Sequence, residues 1–149
     1  MRQARACWPV LVRKAQENID QIQNDIVQAQ AKVEQLQASL ERLRQLYDEY
    51  RHQEQQPQAV VMGMQSSMNQ RQFMTQLLTL QQRVMQDMGK AQTVVAQLRK
   101  KRLQAEIELQ KMKSLEEQDL KAVQRDLYRH EQHQMDALGV RQFNMRVQN

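Results

Sequence analysis

The sequence predicts an all-α fold, an antiparallel coiled-coil hairpin of two long helices in which the second helix is the longer. Two observations predict it. Apolar residues recur at alternating steps of three and four along two long stretches, which is the heptad pattern of paired helices. Only three Gly and two Pro interrupt the 149 residues, and Pro57 and Gly63 lie between the two stretches. Residues 1–149 are therefore expected to form a single helical hairpin.

The first helix is predicted at about residues 9–52. Pro9 suits the first helical turn, where its missing N–H group costs no hydrogen bond. The apolar and small side chains that follow form one uninterrupted seam along the helix. Its members are Trp8, Val12, Ala15, Ile19, Ile22, Ile26, Ala29, Val33, Leu36, Leu40, Leu43, Tyr47 and Tyr50.

A turn is predicted at about residues 53–67, because Pro57 breaks a helix and Gly63 favours a turn. Ser67 and Gln70 have the spacing of a capping box, so the second helix is expected to begin near residue 68. Gly139 is expected to end it near residue 138, leaving a short C-terminal tail. The predicted second seam is Phe73, Leu77, Leu80, Val84, Met88, Ala91, Val95, Leu98, Arg102, Ala105, Leu109, Met112, Leu120, Val123 and Leu127.

Two irregularities are predicted in this second seam. Leu80, Val84 and Met88 follow one another at steps of four, which in a coiled coil is a stutter that relaxes the supercoil. We therefore expect a bend or looser packing beside Gly89. A second interruption is predicted at Glu116, where an acidic residue takes a seam position.

The second helix is predicted to be too long for its partner. Antiparallel pairing of the two seams places Tyr50 near Phe73 and Trp8 near residues 112–116, so that residues of about 116–138 project alone. Isolated helices of this length are marginal in water. We therefore expect a partner protein to cover the apolar residues of this overhang, which are Leu120, Val123, Leu127, Tyr128, Met135 and Leu138.

The residues argue against an enzyme. The sequence has no Gly-rich phosphate loop, nucleophile elbow, Cys pair or H-E-x-x-H motif, and a two-helix hairpin offers no concave pocket that excludes water. We predict no catalytic residue and no cofactor. His130 and His133, with Glu131 and Asp136, have a spacing that two metal ligands on one helix face would need, but ordinary surface residues surround them, and we interpret them as a solvated face without a metal.

Composition also bears on partners and location. The net charge of +5 is modest, and the basic run Arg99, Lys100, Lys101 and Arg102 lacks interleaved aromatic residues that would stack on bases. We interpret the run as a solvated or partner-facing helix side and predict no nucleic-acid binding. No apolar run approaches the roughly 20 residues that cross a bilayer, and the single Cys7 cannot form an internal disulfide. The prediction is a cytoplasmic protein without membrane insertion.

Aromatic and Met residues gather at the turn of the predicted hairpin. Tyr47, Tyr50 and Phe73 lie at the same end as Met62, Met64, Met68 and Met74. Flexible thioethers either form an adaptable binding surface or fill an irregular hairpin end, and the Met pattern alone leaves both readings open. Aromatic residues are enriched at protein interfaces, so their grouping favours a contact surface.

The residues of this tip carry a resemblance to a known family. Residues 43–51 (LRQLYDEYR) and 69–77 (NQRQFMTQL), joined by a Gln-rich link, resemble FliJ, the small coiled-coil component of the bacterial flagellar type III export apparatus. The length, the basic pI and the longer second helix agree. Residues 131–138 are similar to the closing segment of that family with its Asp136, although Ala137 stands where many relatives have an acidic residue.

The resemblance implies a non-enzymatic stalk similar to that of rotary ATPases. The paired terminal helices, with the overhang residues, would contact a hexameric flagellar export ATPase, and the hairpin tip would reach the cytoplasmic domain of the membrane export gate protein. The chain would also assist the cycling of export chaperones, at the cytoplasmic face of the inner membrane. Carried over by position, the gate contacts are Leu43, Leu46, Tyr47, Tyr50, Phe73, Leu77, Leu80 and Val84.

Three alternatives remain at this stage. Some of the gate residues, Leu43, Tyr50, Leu77 and Leu80, also fit the seam and need not contact a partner. The chain resembles, less closely at the tip, the equivalent stalk of a virulence type III secretion system. The heptads would also suit a parallel homodimeric scaffold or adaptor, although Pro57 and Gly63 interrupt them where a hairpin must turn.

Overall fold

The computed structural model describes residues 7–55 and 63–148, with the backbone alone at residues 64 and 148. Helix α1 spans Cys7–Glu54 and helix α2 spans Met64–Gln148, and the described residues contain no strand. The two helices pack against each other, and the second is the longer, as predicted. Their contacts divide the chain into a central unit, residues 21–102, and a terminal unit, residues 1–20 with 103–149.

Helix α1 lies close to its predicted bounds. It begins at Cys7, so Pro9 falls in the first turn, where proline is tolerated. Arg51 and His52 lie in its last turn, where basic side chains interact favourably with the helix dipole. The predicted turn residue Pro57 lies outside the described residues.

Helix α2 begins earlier than the capping-box prediction placed it. The carbonyl of Gly63 accepts hydrogen bonds from the backbone N–H groups of Ser66 at 3.1 Å and Ser67 at 3.3 Å, so Gly63 caps the helix. Ser67 therefore lies inside α2, and the capping-box prediction is wrong. The side chain of Gln70 donates instead to the backbone carbonyl of Tyr50 in α1.

Helix α2 also continues beyond its predicted end, through Gly139 to Gln148. None of the described glycines has a positive φ, so Gly139 does not adopt the left-handed conformation that commonly ends a helix. A glycine inside a helix costs about 1 kcal/mol relative to alanine. That cost is too small to end a helix by itself when the residues on both sides remain helical.

The core of the central unit follows one heptad seam on each helix. In α1 the buried residues are Ile22, Ile26 and Leu40, at positions predicted from sequence. In α2 the buried residues are Met74, Leu77, Ala91 and Val95. The buried and half-buried positions of α2 in this unit alternate steps of three and four without a break: Ser67, Gln70, Met74, Leu77, Gln81, Val84, Met88, Ala91, Val95, Leu98 and Arg102.

This seam corrects the sequence prediction at two positions. Met74 is 8% exposed and belongs to the seam, whereas the predicted Phe73 is 36% exposed. Gln81 is half-buried, whereas the predicted Leu80 is 43% exposed. The predicted stutter is therefore absent, because Gln81 restores a regular heptad between Leu77 and Val84. The seam of α1 is regular, and because the heptad of α2 is regular too, both helices follow the same supercoil.

Hydrogen bonds across the seam show that the helices of this unit run antiparallel. The side-chain amide of Gln81 donates to the carbonyl of Leu43 at 3.3 Å, and that of Gln70 donates to the carbonyl of Tyr50 at the same distance. Arg102 donates to Oε1 of Gln23 at 2.7 Å. Positions later in α2 thus pair with positions earlier in α1.

The terminal unit continues the heptad with smaller and more polar residues. Ala105 and Leu109 are buried, and α1 contributes the half-buried Trp8, Val12, Ala15 and Ile19. After Leu109 the half-buried α2 positions at heptad steps are Met112, Glu116, Asp119, Val123 and Asp126.

Glu116 therefore occupies the seam as predicted, but the predicted seam residues Leu120 and Leu127 do not. Asp119 and Asp126, each one position earlier, hold the alternation of three and four. All described side chains of residues 127–147, which we call the tail, are exposed. The uncovered part of α2 thus begins near residue 127, later than the predicted residue 116, and extends past residue 138.

Candidate protein-binding surfaces

The eight predicted gate residues of the central unit divide into buried, half-buried and exposed positions. Leu77 is 3% exposed and lies in the core, so the seam must open before it touches a partner. Four more are half-buried seam residues, namely Leu43, Tyr47, Tyr50 and Val84. The exposed members are Leu46 at 36%, Phe73 at 36% and Leu80 at 43%.

The three exposed members share one side of the paired helices. In the heptad lettering a to g, the seam residues take positions a and d. Leu46, Phe73 and Leu80 each directly precede a residue at position a, so all three take position g. In an antiparallel pair the g positions of the two helices flank the same side of the seam. The opposite side is marked by the contact of the Arg44 guanidinium with Sδ of Met85, both at position e. We call Leu46, Phe73 and Leu80 the g-side patch.

An aromatic contact ties this patch to the seam. The rings of Tyr50 and Phe73 lie 4.9 Å apart between centroids at an interplanar angle of 58°, a favourable tilted arrangement. Phe73 thus contributes to the pairing of the helices while one third of its surface remains in water. The ion pair of Arg71 with Glu54, at 3.6 Å, also joins the helices in this region.

The Met cluster separates into different environments. Met74 is buried in the seam, whereas Met68 is 68% exposed. Met62 and the side chain of Met64 lie outside the described residues. Met74 thus fills the seam, whereas Met68 lies on the surface.

The second candidate surface lies on α2 of the terminal unit. Of the predicted overhang residues, Val123 is half-buried in the seam, and the others are exposed between 40% and 70% of their surface. Those exposed residues are Leu120, Leu127, Tyr128, Met135 and Leu138.

The tail holds further large apolar residues that the sequence prediction missed. Val140, Phe143, Met145 and Val147 are each 60% to 69% exposed. They were missed because Gly139 was expected to end the helix. Their own spacing carried the signal, since Val140, Phe143 and Val147 follow steps of three and four, which is helical periodicity.

The polar residues of the tail form local contacts. Nε2 of Gln132 donates to the hydroxyl of Tyr128 at 3.1 Å, and the side chains of Gln134 and His130 lie 3.3 Å apart. Within residues 7–55 and 63–148 there is no group of three or more His, Cys, Asp or Glu side chains that would hold a metal ion. Of the basic run, Arg102 lies half-buried in the seam, where it bonds Gln23.

Both units combine a heptad seam with exposed apolar residues beside or beyond it. A scan against protein families matches residues 9–148 to the family described as the flagellar FliJ protein. The chain belongs to the FliJ family. The match covers nearly the whole sequence, so it includes both the g-side patch and the tail. Comparisons with curated proteins and with solved structures gave no match.

Membership in the FliJ family makes this chain a flagellar export component, and the family is one of non-catalytic export proteins. The resemblance first seen in residues 43–51 and 69–77 is thereby confirmed over residues 9–148. Neither described helix is both long and apolar enough to cross a membrane.

Proposed function

We propose that this FliJ-family chain is a stalk that links the hexameric flagellar export ATPase to the cytoplasmic domain of the membrane export gate protein, and that it assists the cycling of export chaperones. The tail supplies the ATPase contact and the g-side patch the gate contact. The chain acts at the cytoplasmic face of the inner membrane through these partners.

The main support for the proposal is the exposed apolar surface of the tail. Its helix continues for residues 127–147 with every described side chain exposed, and its largest apolar residues expose 40% to 70% of their surface. Extended apolar surface on a helix marks a protein interaction site, and an isolated helix of this length is marginal in water. A groove in a partner protein would stabilise this helix and bury its apolar side chains.

The g-side patch supports the second contact. Leu46, Phe73 and Leu80 are exposed on one side of the central unit, and Phe73 is held in place by its ring contact with Tyr50. An aromatic residue that is ordered before binding loses little conformational freedom on binding. Such residues commonly provide most of the energy of an interface.

The structure also favours this function over a parallel homodimeric scaffold. The hydrogen bonds from Gln70 and Gln81 join α1 and α2 of one chain, so each seam already has a partner within the molecule. The virulence-type stalk remains an alternative that the family match does not favour, because the matched family is flagellar.

A truncation after Asp126 tests the ATPase contact. All described side chains that it removes are exposed, and it keeps every described buried or half-buried seam position. We expect circular dichroism to show that the remaining helices melt as they do in the full chain, whereas stimulation of the export ATPase is lost. Full stimulation by the truncated chain would refute the assignment of the tail.

A matched control separates loss of apolar contacts from loss of length. The variant with Tyr128→Ala, Met135→Ala and Leu138→Ala keeps the full chain and replaces exposed residues by a good helix former. It is expected to be helical and as inactive toward the ATPase as the truncation. A variant with substitutions at the exposed polar residues Gln132 and Gln134 is expected to keep its activity.

A further inference from the structure

The tail carries an apolar stripe on the face opposite the seam. The seam positions of α2 end at Val123 and Asp126, and their heptad continues through residues 130 and 133. The stripe lies at positions b and f of the same heptads, on the other side of the helix. Its members, again at alternating steps of three and four, are Tyr128, Glu131, Met135, Leu138, Gln142 and Met145.

When two copies of this stripe lie antiparallel, each residue can meet a residue of its own type, apolar or polar. If two copies lie antiparallel and centred between residues 136 and 137, Met135 faces Leu138 and Tyr128 faces Met145. Glu131 then faces Gln142, so that the amide of one copy donates to the carboxylate of the other. Every apolar position meets an apolar one, and every polar position meets a polar one.

Charge selects the antiparallel arrangement over the parallel one. In the antiparallel pair, Glu131 enters the space between Gln142 and its neighbour Arg141 in the second copy, and the symmetry creates this acidic–basic contact twice. In a parallel pair, Glu131 of one copy would face Glu131 of the other within the stripe. Like charges facing each other in a seam oppose association.

We propose that the tails of two copies of this chain associate as an antiparallel two-helix coiled coil through this stripe. Tyr128 and Met135 are 63% and 70% exposed, and Leu138 and Met145 are 56% and 68% exposed, so each copy has large apolar side chains to bury. The stripe spans roughly 27 Å of helix at 1.5 Å per residue. An interface of that length lies near the lower end of the size range of specific complexes, so the dimer is weak and reversible, with a Kd on the order of micromolar.

The dimer would regulate access to the tail. Tyr128, Met135 and Leu138 belong both to the stripe and to the proposed ATPase contact, so one tail cannot use them for both partners at once. Self-association would keep these apolar residues out of water while the ATPase is not bound. The two proposals fail separately, because the self-association experiment contains no ATPase.

Sedimentation equilibrium of the full chain tests the dimer. We expect the mass to rise with concentration from 17.7 kDa toward twice that value. Glu131→Arg alone and Arg141→Glu alone are each expected to raise the Kd by about tenfold or more, because each places like charges together twice. The variant that carries both substitutions reverses the two acidic–basic contacts and is expected to return the Kd to within about threefold of the original.

Two further variants separate specific pairing from general apolar association. Met135→Asp places a charge in the stripe and is expected to abolish the dimer, whereas Val140→Asp changes a similarly exposed residue outside the stripe and leaves the Kd unchanged. Circular dichroism must show equal helix content in both. The proposal is overturned if the full chain stays monomeric at every concentration. It is also overturned if the Kd of the dimer is the same in the single and double charge variants as in the original chain.

Discussion

The side-chain amide of Gln81 in α2 donates a hydrogen bond to the backbone carbonyl of Leu43 in α1 at 3.3 Å. A glutamine at a seam position costs stability relative to leucine, because its amide leaves water, and the bond offsets part of this cost. A polar seam residue that needs a particular partner also fixes how two helices align. Gln81 therefore allows a regular heptad and specifies the register of the central unit.

Replacing Gln81 by Leu is expected to stabilise the hairpin by about 1 kcal/mol, because an apolar side chain takes a half-buried seam position. Urea unfolding followed by circular dichroism measures the change. Gln82 is the matched control, since it is exposed and adjacent, and Gln82→Leu is expected to change the stability by no more than about 0.5 kcal/mol. A marked loss of stability in Gln81→Leu would show that the hydrogen bond outweighs apolar burial.

The ring contact of Tyr50 with Phe73 predicts coupling between these residues. Tyr50→Ala and Phe73→Ala are each expected to destabilise the chain. The double variant should lose less than the sum of the two, because the contact can be lost only once. The coupling free energy from this double-mutant cycle should be about 1 kcal/mol. A coupling indistinguishable from zero would mean that the rings do not interact in solution.

Substitutions in the g-side patch are expected to weaken gate binding without lowering the stability of the chain. Leu46→Ala with Leu80→Ala removes side chains that are 36% and 43% exposed and lie outside the seam. We expect affinity for the cytoplasmic domain of the export gate protein to fall at least tenfold, with thermal unfolding nearly unchanged. Isothermal titration calorimetry with that domain measures the affinity.

Leu78→Ala is the control for this test. Leu78 is 45% exposed, similar to Leu80, but takes position e on the other side of the seam. Its replacement is expected to leave gate binding intact. Equal losses in Leu78→Ala and in the patch variant would contradict a gate contact confined to the g side.

Replacing Gly89 by alanine is expected to stabilise the chain. It lies inside α2 without a positive φ, and a Cβ atom built on it meets nothing within 4 Å. Gly89→Ala is therefore expected to raise the free energy of unfolding by about 0.5–1 kcal/mol, because alanine restricts the unfolded chain and favours the helix. Urea unfolding measures the gain. A loss of stability would indicate that a bend at Gly89 is needed after all.

The sequence by itself determined the fold class and the whole seam of α1. From Val12 to Tyr50 the apolar positions are regular, and every one of them is buried or half-buried in the structure. It also predicted that the region of Tyr50 pairs with the region of Phe73, because Pro57 and Gly63 interrupt the heptads at one place, and the contacts of Tyr50 with Gln70 and Phe73 confirm this pairing. The tip segments were enough to suggest the family.

Only the tertiary structure decided which of two adjacent residues enters the seam of α2. At residues 73–74, 80–81, 119–120 and 126–127, the more apolar or aromatic neighbour was expected inside, yet Met74, Gln81, Asp119 and Asp126 lie there. A packed heptad fixes these positions through all its neighbours and through the partner helix, so regular supercoiling outweighs the preference of one residue. The displaced Phe73, Leu80 and Leu127 are thereby left on the surface, where they are available to partners.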